Sequence, residues 1–235
     1  MSCRITYQDV RFSYPDGTQA LRGVNFALEH GEHVALLGPN GAGKSTVMLL
    51  ANGVLLPNSG QIHIGERLLA PENLREIRQQ VGLVFQDPDD QLFMTSVYDD
   101  VAFGPLNQGI SGDELDRRVT AALDEVGLVD VSNKAPQNLS FGQRKRAALA
   151  TILVMQPEFL ILDEPTSNLD PRGRRQMMAL LASIQTTVLI ATHDLDLAWQ
   201  LCQRALIIDE GVIVADGPCH ELLQDNSLLQ AHGLK

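Results

Sequence analysis

Alternating apolar and polar residues predict β-structure at the start of the chain. Apolar side chains recur through residues 5–10 and again through residues 24–28, as they do in half-buried antiparallel strands. Between these segments, residues 14–17 read Tyr-Pro-Asp-Gly, a sequence typical of a tight turn. The pattern therefore predicts an N-terminal antiparallel β portion.

Short, almost entirely apolar runs predict a second kind of strand. Residues 33–37, 159–162 and 187–191 form such runs, and helical sequence separates the last two. This pattern is typical of a buried parallel sheet with crossover helices. Residues 205–209 and 212–215 flank a Glu-Gly pair and predict a hairpin near the end of the chain.

Helical patterning is concentrated in the middle of the chain, where an amphipathic helix is predicted over residues 114–126. We therefore expect a single α/β domain. Residues 1–87 and 151–235 should form its β-rich lobe, and residues 88–150 an inserted α-helical subdomain.

Composition narrows the possible functions. The chain has 235 residues, of which 44% are apolar, and its 18 basic and 29 acidic residues give a net charge of −11. The apolar fraction is that of a globular protein, and the acidity weighs against nucleic acid as a partner. Cys3, Cys202 and Cys219 form no close pair, which argues against a disulfide framework and favours the cytosol. We see no secretory signal and no run near the roughly 18 apolar residues of a membrane span.

Residues 38–45 match the pattern G-x-x-x-x-G-K-[ST], between a predicted strand and a predicted helix. In such a loop the backbone N–H groups surround phosphate oxygens, the lysine reaches the outer phosphates and the hydroxyl binds Mg²⁺. A dinucleotide fingerprint is absent after this strand. The residues assigned to the phosphate loop are Gly38, Pro39, Asn40, Gly41, Ala42, Gly43, Lys44, Ser45 and Thr46.

Two adjacent acids, Asp163 and Glu164, follow the apolar run 159–162. In phosphoryl-transfer sites, a first acid at such a position holds Mg²⁺ and a second orients or deprotonates the attacking water. Without the phosphate loop, the same pair would indicate only the solvated start of a loop.

A second anion site is predicted at residues 139–143, Leu-Ser-Phe-Gly-Gln, which precede a helical segment. The Ser140 hydroxyl and the helix N-terminus can contact phosphate, which makes sense if this segment closes on the nucleotide of another copy. A serine cap before a basic helix is the alternative interpretation.

With these motifs in order, the chain resembles the ATP-binding-cassette ATPases over nearly its whole length. Gln86 in VFQDP, SNLD at residues 167–170 and THD at residues 192–194 complete the match. The resemblance implies a P-loop NTPase with a RecA-like core, binding ATP and Mg²⁺. Tyr14 would stack on adenine, although a simple turn aromatic remains the alternative. Asp170 would be the loop acid that crosses the dimer interface.

The resemblance also implies the remaining roles. Glu164, His193, Gln86 and Lys44 would act in catalysis, and Ser45, Gln86 and Asp163 would hold Mg²⁺. Beyond Tyr14, Asp170 and the phosphate loop, the residues implied to contact ATP are Ser140, Phe141, Gly142 and Gln143. Phe141 departs from the family, whose commonest signature is LSGGQ. Because the backbone N–H is retained, we expect nucleotide sandwiching to survive.

Residues 84–93 and 100–105 are similar to the ATPases of energy-coupling-factor importers, most of all the cobalt/nickel type. This implies a second ATPase chain, identical or different, and integral membrane transport subunits at the cytoplasmic face of the membrane. Open alternatives are an importer of a vitamin or other small solute, a non-transport cassette ATPase, and an ATP-binding regulator. Acids expected to meet the membrane partner are Asp87, Asp89, Asp90, Asp99 and Asp100.

Overall fold

The computed structural model describes residues 4–235, so that Cys3 lies outside the described part of the chain. Its strands are β1 Ile5–Ser13, β2 Gln19–Leu28, β3 His33–Leu37, β4 Ser59–Ile64, β5 Arg67–Leu68, β6 Val81–Val84, β7 Phe159–Asp163, β8 Thr187–Thr192, β9 Arg204–Asp209 and β10 Val212–Pro218. Its α-helices are α1 Lys44–Ala51, α2 Leu74–Gln80, α3 Val97–Asn107, α4 Asp113–Glu125, α5 Phe141–Leu153, α6 Pro171–Ser183, α7 Leu195–Leu201, α8 Cys219–Gln224 and α9 Asn226–Ala231.

The chain divides into two compact units. The first comprises Met1–Val81, Glu158–Asp163 and Gln185–Lys235, and the second comprises Gly82–Pro157 and Glu164–Ile184. The predicted helical region 88–150 lies within the second unit. The second unit also includes Glu164–Ile184, a segment that was expected in the β-rich lobe. Strand β6 runs across the boundary between the units.

Two sheets build the first unit. The antiparallel sheet has the order β2-β1-β4-β5, and the alternating burial of β1 and β2 confirms the predicted half-buried strands. In the other sheet the first unit contributes the order β10-β9-β3-β8-β7. Strands β7, β8, β3 and β9 run parallel, whereas β9 and β10 form the predicted antiparallel hairpin.

Continuous apolar runs are buried because helices cover parallel sheets on both faces. Residues Val34–Leu37 of β3 and Phe159–Leu162 of β7 are at most 1% exposed. Helix α1 is tied to the antiparallel sheet by Tyr7, whose hydroxyl donates to the Val47 carbonyl at 2.7 Å. Burial raises the pKa of Tyr7, so its hydroxyl stays a donor. The phosphate loop is thus held at its start by the buried strand β3 and at its end by helix α1, which is bonded to Tyr7.

Helices α3, α4 and α5 form the second unit together with α6. Helix α4 buries Leu115, Val119 and Leu123 on one face, as its amphipathic pattern predicted. Helices α3 and α5 begin at serine caps: Ser96 accepts from the Asp99 N–H, and Ser140 and Gln143 form a reciprocal capping box.

Candidate functional site

The phosphate loop joins β3 to α1 and has a backbone that requires glycine. Gly41 and Gly43 have φ of 81° and 110°, in the region that side chains disfavour. A Cβ on Gly38 would come within 2.2 Å of the Ile208 carbonyl oxygen, so the loop passes directly against β9. The Lys44 ammonium donates to the carbonyls of Gly38 at 2.6 Å and Pro39 at 2.9 Å. This positive charge is therefore held over the loop.

Helix α1 continues from this loop, and its first residues also carry polar groups. Ser45 is exposed, whereas Thr46 is buried and its hydroxyl lies 3.1 Å from the Tyr14 hydroxyl. The Tyr14 ring also packs edge-on against Phe12. The predicted adenine-stacking residue is thus placed beside the C-terminal end of the loop.

Asp163 and His193 come to the same edge of the parallel sheet as the phosphate loop. The register aligns Leu37 of β3 with Thr192 of β8, and Ala191 of β8 with Asp163 of β7. Because parallel strands end on one side, the residues that follow them meet there. His193 is exposed and sits between the end of β8 and Asp194, which caps α7 by accepting from Leu197 N–H.

Glu164, at the start of the second unit's later segment, is 7% exposed and has a φ of 42°. A non-glycine residue in this left-handed conformation costs about 1–2 kcal/mol. Its carbonyl accepts hydrogen bonds from the Lys145 ammonium at 2.6 Å and from the Ser167 hydroxyl at 2.9 Å. The surroundings therefore hold a backbone geometry that the residue alone would not adopt.

Gln86 is exposed and follows β6 in the second unit. The loop after it is organised by Gln91, whose amide oxygen accepts from the Phe85 N–H at 3.2 Å. The amide nitrogen of Gln91 donates to the Ala148 carbonyl and the Thr151 hydroxyl, both at 2.8 Å. This loop is therefore anchored to helix α5. Sequence reasoning missed Gln91, whose side-chain partners are far away along the chain.

Residues 140–143 and Asp170 lie around one groove within the second unit. The groove has a volume of about 530 Å³ and is also lined by Arg146 and Arg172. Burial, and then the nearby Arg172 guanidinium, lowers the pKa of Arg146. Asp170 caps helix α6 by accepting from the Gly173 N–H at 2.7 Å. The exposed Ser140, the half-buried start of helix α5 and the two arginines suit an anionic group.

Phe141 fills the position where the family commonly has glycine. Its ring lies 5.6 Å from the Arg144 guanidinium carbon and 5.7 Å from the Lys145 ammonium. Contacts of this kind are worth about 0.5–1 kcal/mol at exposed sites and more when desolvated. The aromatic side chain therefore packs against the first turns of helix α5. Phe141 is the first residue of that helix, as its backbone requires no glycine there.

Asp100 differs from its sequence interpretation. Asp100 was expected to face a membrane partner, but it is 3% exposed and accepts from the Phe93 and Met94 N–H groups. Burial raises the pKa of Asp100. Lys145, within the basic run 144–146 of helix α5, is also buried and is 4% exposed. Asp87, Asp89, Asp90 and Asp99 are exposed.

The phosphate loop on a buried parallel sheet, with Asp163 at the end of β7, two strands away in the same sheet, defines a P-loop nucleotide-binding protein. The sequence model of the ABC transporter family matches residues 21–167. A putative ABC transporter ATP-binding protein of Streptomyces avermitilis is 54% identical over 224 residues, covering 95% of this chain and 86% of that protein. The chain belongs to the ABC transporter family, as an ATP-binding ATPase subunit.

More specific relatives are also similar. The energy-coupling factor transporter ATP-binding protein EcfA of Methanothermobacter thermautotrophicus is 45% identical over 236 residues, covering 98% of this chain and 76% of that protein. The structure of cbiO1 from Clostridium perfringens, part of the ABC transporter complex cbiONQ, has a TM-score of 0.86 at 40% identity, covering 98% of this chain and 94% of that chain.

A dimeric post-hydrolysis structure of the ATP-binding cassette MJ0796, bound to ADP and Pi, has a TM-score of 0.83 at 27% identity. That comparison covers 92% of this chain and 98% of that chain. Within residues 4–235, no helix is both long and apolar enough to cross a membrane.

Proposed function

We propose that this chain hydrolyses Mg²⁺-ATP to energise an importer of the energy-coupling-factor type, with cobalt or nickel as its cargo. The observation that carries the hydrolytic part is the meeting of the phosphate loop, Asp163 and His193 at one edge of the parallel sheet. The importer type rests on similarity to EcfA and to cbiO1. An importer of a vitamin or another small solute is the alternative.

Binding of the nucleotide follows from the loop geometry. The N–H groups of the loop and the start of α1 face phosphate oxygens, and the Lys44 ammonium moves from loop carbonyls to the outer phosphates. Tyr14 stacks on adenine. Ser45 and Asp163 offer the hard oxygen ligands that suit Mg²⁺, and Gln86 adds an amide oxygen. Bound Mg²⁺ would neutralise charge on the β- and γ-phosphates.

Hydrolysis requires a base and a stabilising donor. The Glu164 carboxylate takes a proton from water as the water oxygen bonds to the γ-phosphorus. The bond from that phosphorus to the bridging oxygen breaks, and its electron pair leaves with ADP. His193 donates a hydrogen bond to the γ-phosphoryl oxygens as negative charge shifts in the transition state.

A second ATPase chain completes each site. The groove around Ser140 combines a helix start with the Arg146 and Arg172 guanidinium groups, which supports binding of the γ-phosphate held by another copy. We infer a head-to-tail dimer of identical chains, with a different ATPase as the alternative partner. The dimeric state described for the MJ0796 structure is consistent with this arrangement.

Membrane subunits are the other partners, and we place the chain at the cytoplasmic face of the membrane. Asp87, Asp89, Asp90 and Asp99 are exposed acids in the segment after β6, and Asp89 pairs with the Arg144 guanidinium at 3.0 Å. Basic segments of a membrane subunit would complement this charge. Replacing these four acids by their amides should weaken co-purification with the membrane subunits, and undiminished complex formation would remove this contact from the proposal.

Phosphate release by the purified chain tests the hydrolytic proposal. Glu164→Gln should lower the steady-state rate by about 100-fold or more, since a positioned general base contributes about 100- to 10,000-fold. Glu125→Gln, an exposed carboxylate on the same unit, serves as the matched control and should keep the wild-type rate. A Glu164→Gln variant with the wild-type rate would contradict the assignment of the base.

Cargo is tested separately in proteoliposomes that contain the chain and its membrane subunits. We expect ATP-dependent uptake of radioactive Co²⁺ or Ni²⁺. ATP hydrolysis without uptake of either ion, but with uptake of a vitamin, would favour the alternative importer.

A further inference from the structure

Lys145 is a buried lysine on the signature helix α5, and it is 4% exposed. Lysine is rarely buried to this extent unless its ammonium has polar partners. Its Nζ donates to the Glu164 carbonyl oxygen at 2.6 Å and to the Ser167 hydroxyl at 2.9 Å. All three residues belong to the second unit. The lysine thus connects the signature helix to the backbone of the proposed base.

The Glu164 carbonyl is held by several donors at once. Besides the Lys145 ammonium, it accepts from the Ser167 hydroxyl at 2.9 Å and from the Ser167 N–H at 3.1 Å. Glu164 has a φ of 42° and is followed by Pro165, whose ring restricts the residue before it. A strained backbone of this kind persists only where its surroundings fix it.

We propose that Lys145 is a positioning residue: its ammonium fixes the Glu164 peptide and thereby aims the carboxylate at the attacking water. This inference rests on the proposed role of Glu164 as the base. Lys145 acts through the backbone, so its loss should slow the chemical step while nucleotide binding by the phosphate loop continues.

The same side chain couples two functional segments of one chain. Ser140 caps the first turn of α5, and Lys145 follows in the next turn, with the Phe141 ring 5.7 Å from its ammonium. In a head-to-tail dimer, the Ser140 segment meets nucleotide held by the partner, whereas Glu164 serves the nucleotide of its own chain. A shift of α5 on closure would therefore reach the base through Lys145.

Lys145→Met tests the proposal in the full-length chain. Methionine has a similar length and no charge, and the Glu164 carbonyl keeps its two donors from Ser167, so the fold should persist. We expect kcat to fall by about tenfold or more while KM for ATP changes by less than about twofold. Lys134→Met removes an exposed ammonium from the same unit and should leave both constants unchanged.

A variant that restores a hydrogen-bond donor separates positioning of the Glu164 peptide from simple packing of the Lys145 side chain. Lys145→Gln restores a donor in the same space and should recover part of the lost kcat, whereas Ser167→Ala removes another donor to the carbonyl and should lower kcat in the same direction. Equal impairment of the Met and Gln variants would overturn the proposal. So would a parallel fall of kcat, ATP affinity and thermal midpoint in Lys145→Met.

Comparison with Glu164→Gln distinguishes this inference from the proposed function. If Glu164→Gln hydrolyses ATP at the wild-type rate, the proposed base is wrong. If Glu164→Gln is inactive and Lys145→Met has the wild-type kcat, the base stands and the positioning role is wrong. With both roles correct, adding Lys145→Met to Glu164→Gln should cause little further loss, because both changes affect the same step.

Discussion

Gly43, the glycine before the phosphate-loop lysine, offers a quantitative test of the loop geometry. A Cβ at this position would lie 2.8 Å from the Ala20 carbonyl oxygen and 2.9 Å from Leu21 Cδ2. The first of these is a backbone atom, which cannot rotate away. The φ of 110° adds strain for any side chain. Gly43→Ala must therefore displace either the loop or strand β2.

The strain sets the scale of the cost, because a variant loop that relaxes must regain the wild-type geometry to bind ATP. A non-glycine residue in a left-handed conformation costs about 1–2 kcal/mol, which corresponds to about 5- to 30-fold in an equilibrium. The collision with Ala20 adds to this cost. We therefore expect Gly43→Ala to raise the dissociation constant for ATP by about tenfold or more, measured by titration with a fluorescent ATP analogue.

Two other glycines with positive φ separate the effect of backbone strain from the effect of the Cβ collision with Ala20. Gly41 in the same loop has a φ of 81°, and Gly31 outside the loop has a φ of 78°; a Cβ at either meets nothing within 4 Å. Gly41→Ala should weaken ATP binding less than Gly43→Ala, and Gly31→Ala should leave it unchanged while lowering the thermal midpoint slightly. Wild-type ATP affinity in Gly43→Ala, or equal losses in the two loop variants, would refute the reasoning.

Further predictions concern buried polar groups and thiols. Asp100→Ala should lower the free energy of unfolding by about 1–3 kcal/mol, because two N–H groups lose their acceptor, whereas Asp100→Asn should retain the fold; equal stability in chemical denaturation would contradict this. Burial raises the pKa of Asp100, so the folded chain binds this proton more tightly than the unfolded chain, and its contribution to stability falls as pH rises through that raised pKa. Asp100→Asn should remove this component from a pH series of unfolding curves. Gln91→Ala should accelerate hydrogen exchange at the Phe85 N–H, and unchanged protection would contradict the anchoring of that loop. Burial raises the pKa of Cys202 to about 12 and of Cys219 to about 11, so in a Cys3→Ala background an aromatic disulfide reagent at pH 8 should label neither until the chain is denatured.

The strands and the phosphate loop were predictable because local sequence determines them. Parallel strands buried on both faces require continuous apolar runs, and the loop requires glycines at positions with positive φ, as at Gly41 and Gly43. The convergence of Asp163 and His193 followed from a general rule, since parallel strands present their carboxyl ends on one side.

The environment of Lys145 and Asp100 was not predictable, because each lies in a run of like charges that suggests a solvated surface. Their partners are set by tertiary packing: Glu164 is 19 residues from Lys145, and the N–H groups bound by Asp100 become its partners only when the segment before α3 folds back. The left-handed φ of Glu164 has no local signal either, because it is maintained by donors from α5 and Ser167. Sequence therefore pointed to the proposed reacting groups but not to the tertiary contacts around them.

ATP-dependent dimerisation of Glu164→Gln tests the central claim most directly, because it requires both the phosphate loop of one chain and the Ser140 groove of another. Sedimentation of the purified variant should show a monomer without nucleotide and a dimer with Mg²⁺-ATP, and adding Lys44→Ala should abolish the dimer. A chain that binds ATP yet remains monomeric at saturating nucleotide would contradict the shared-site account.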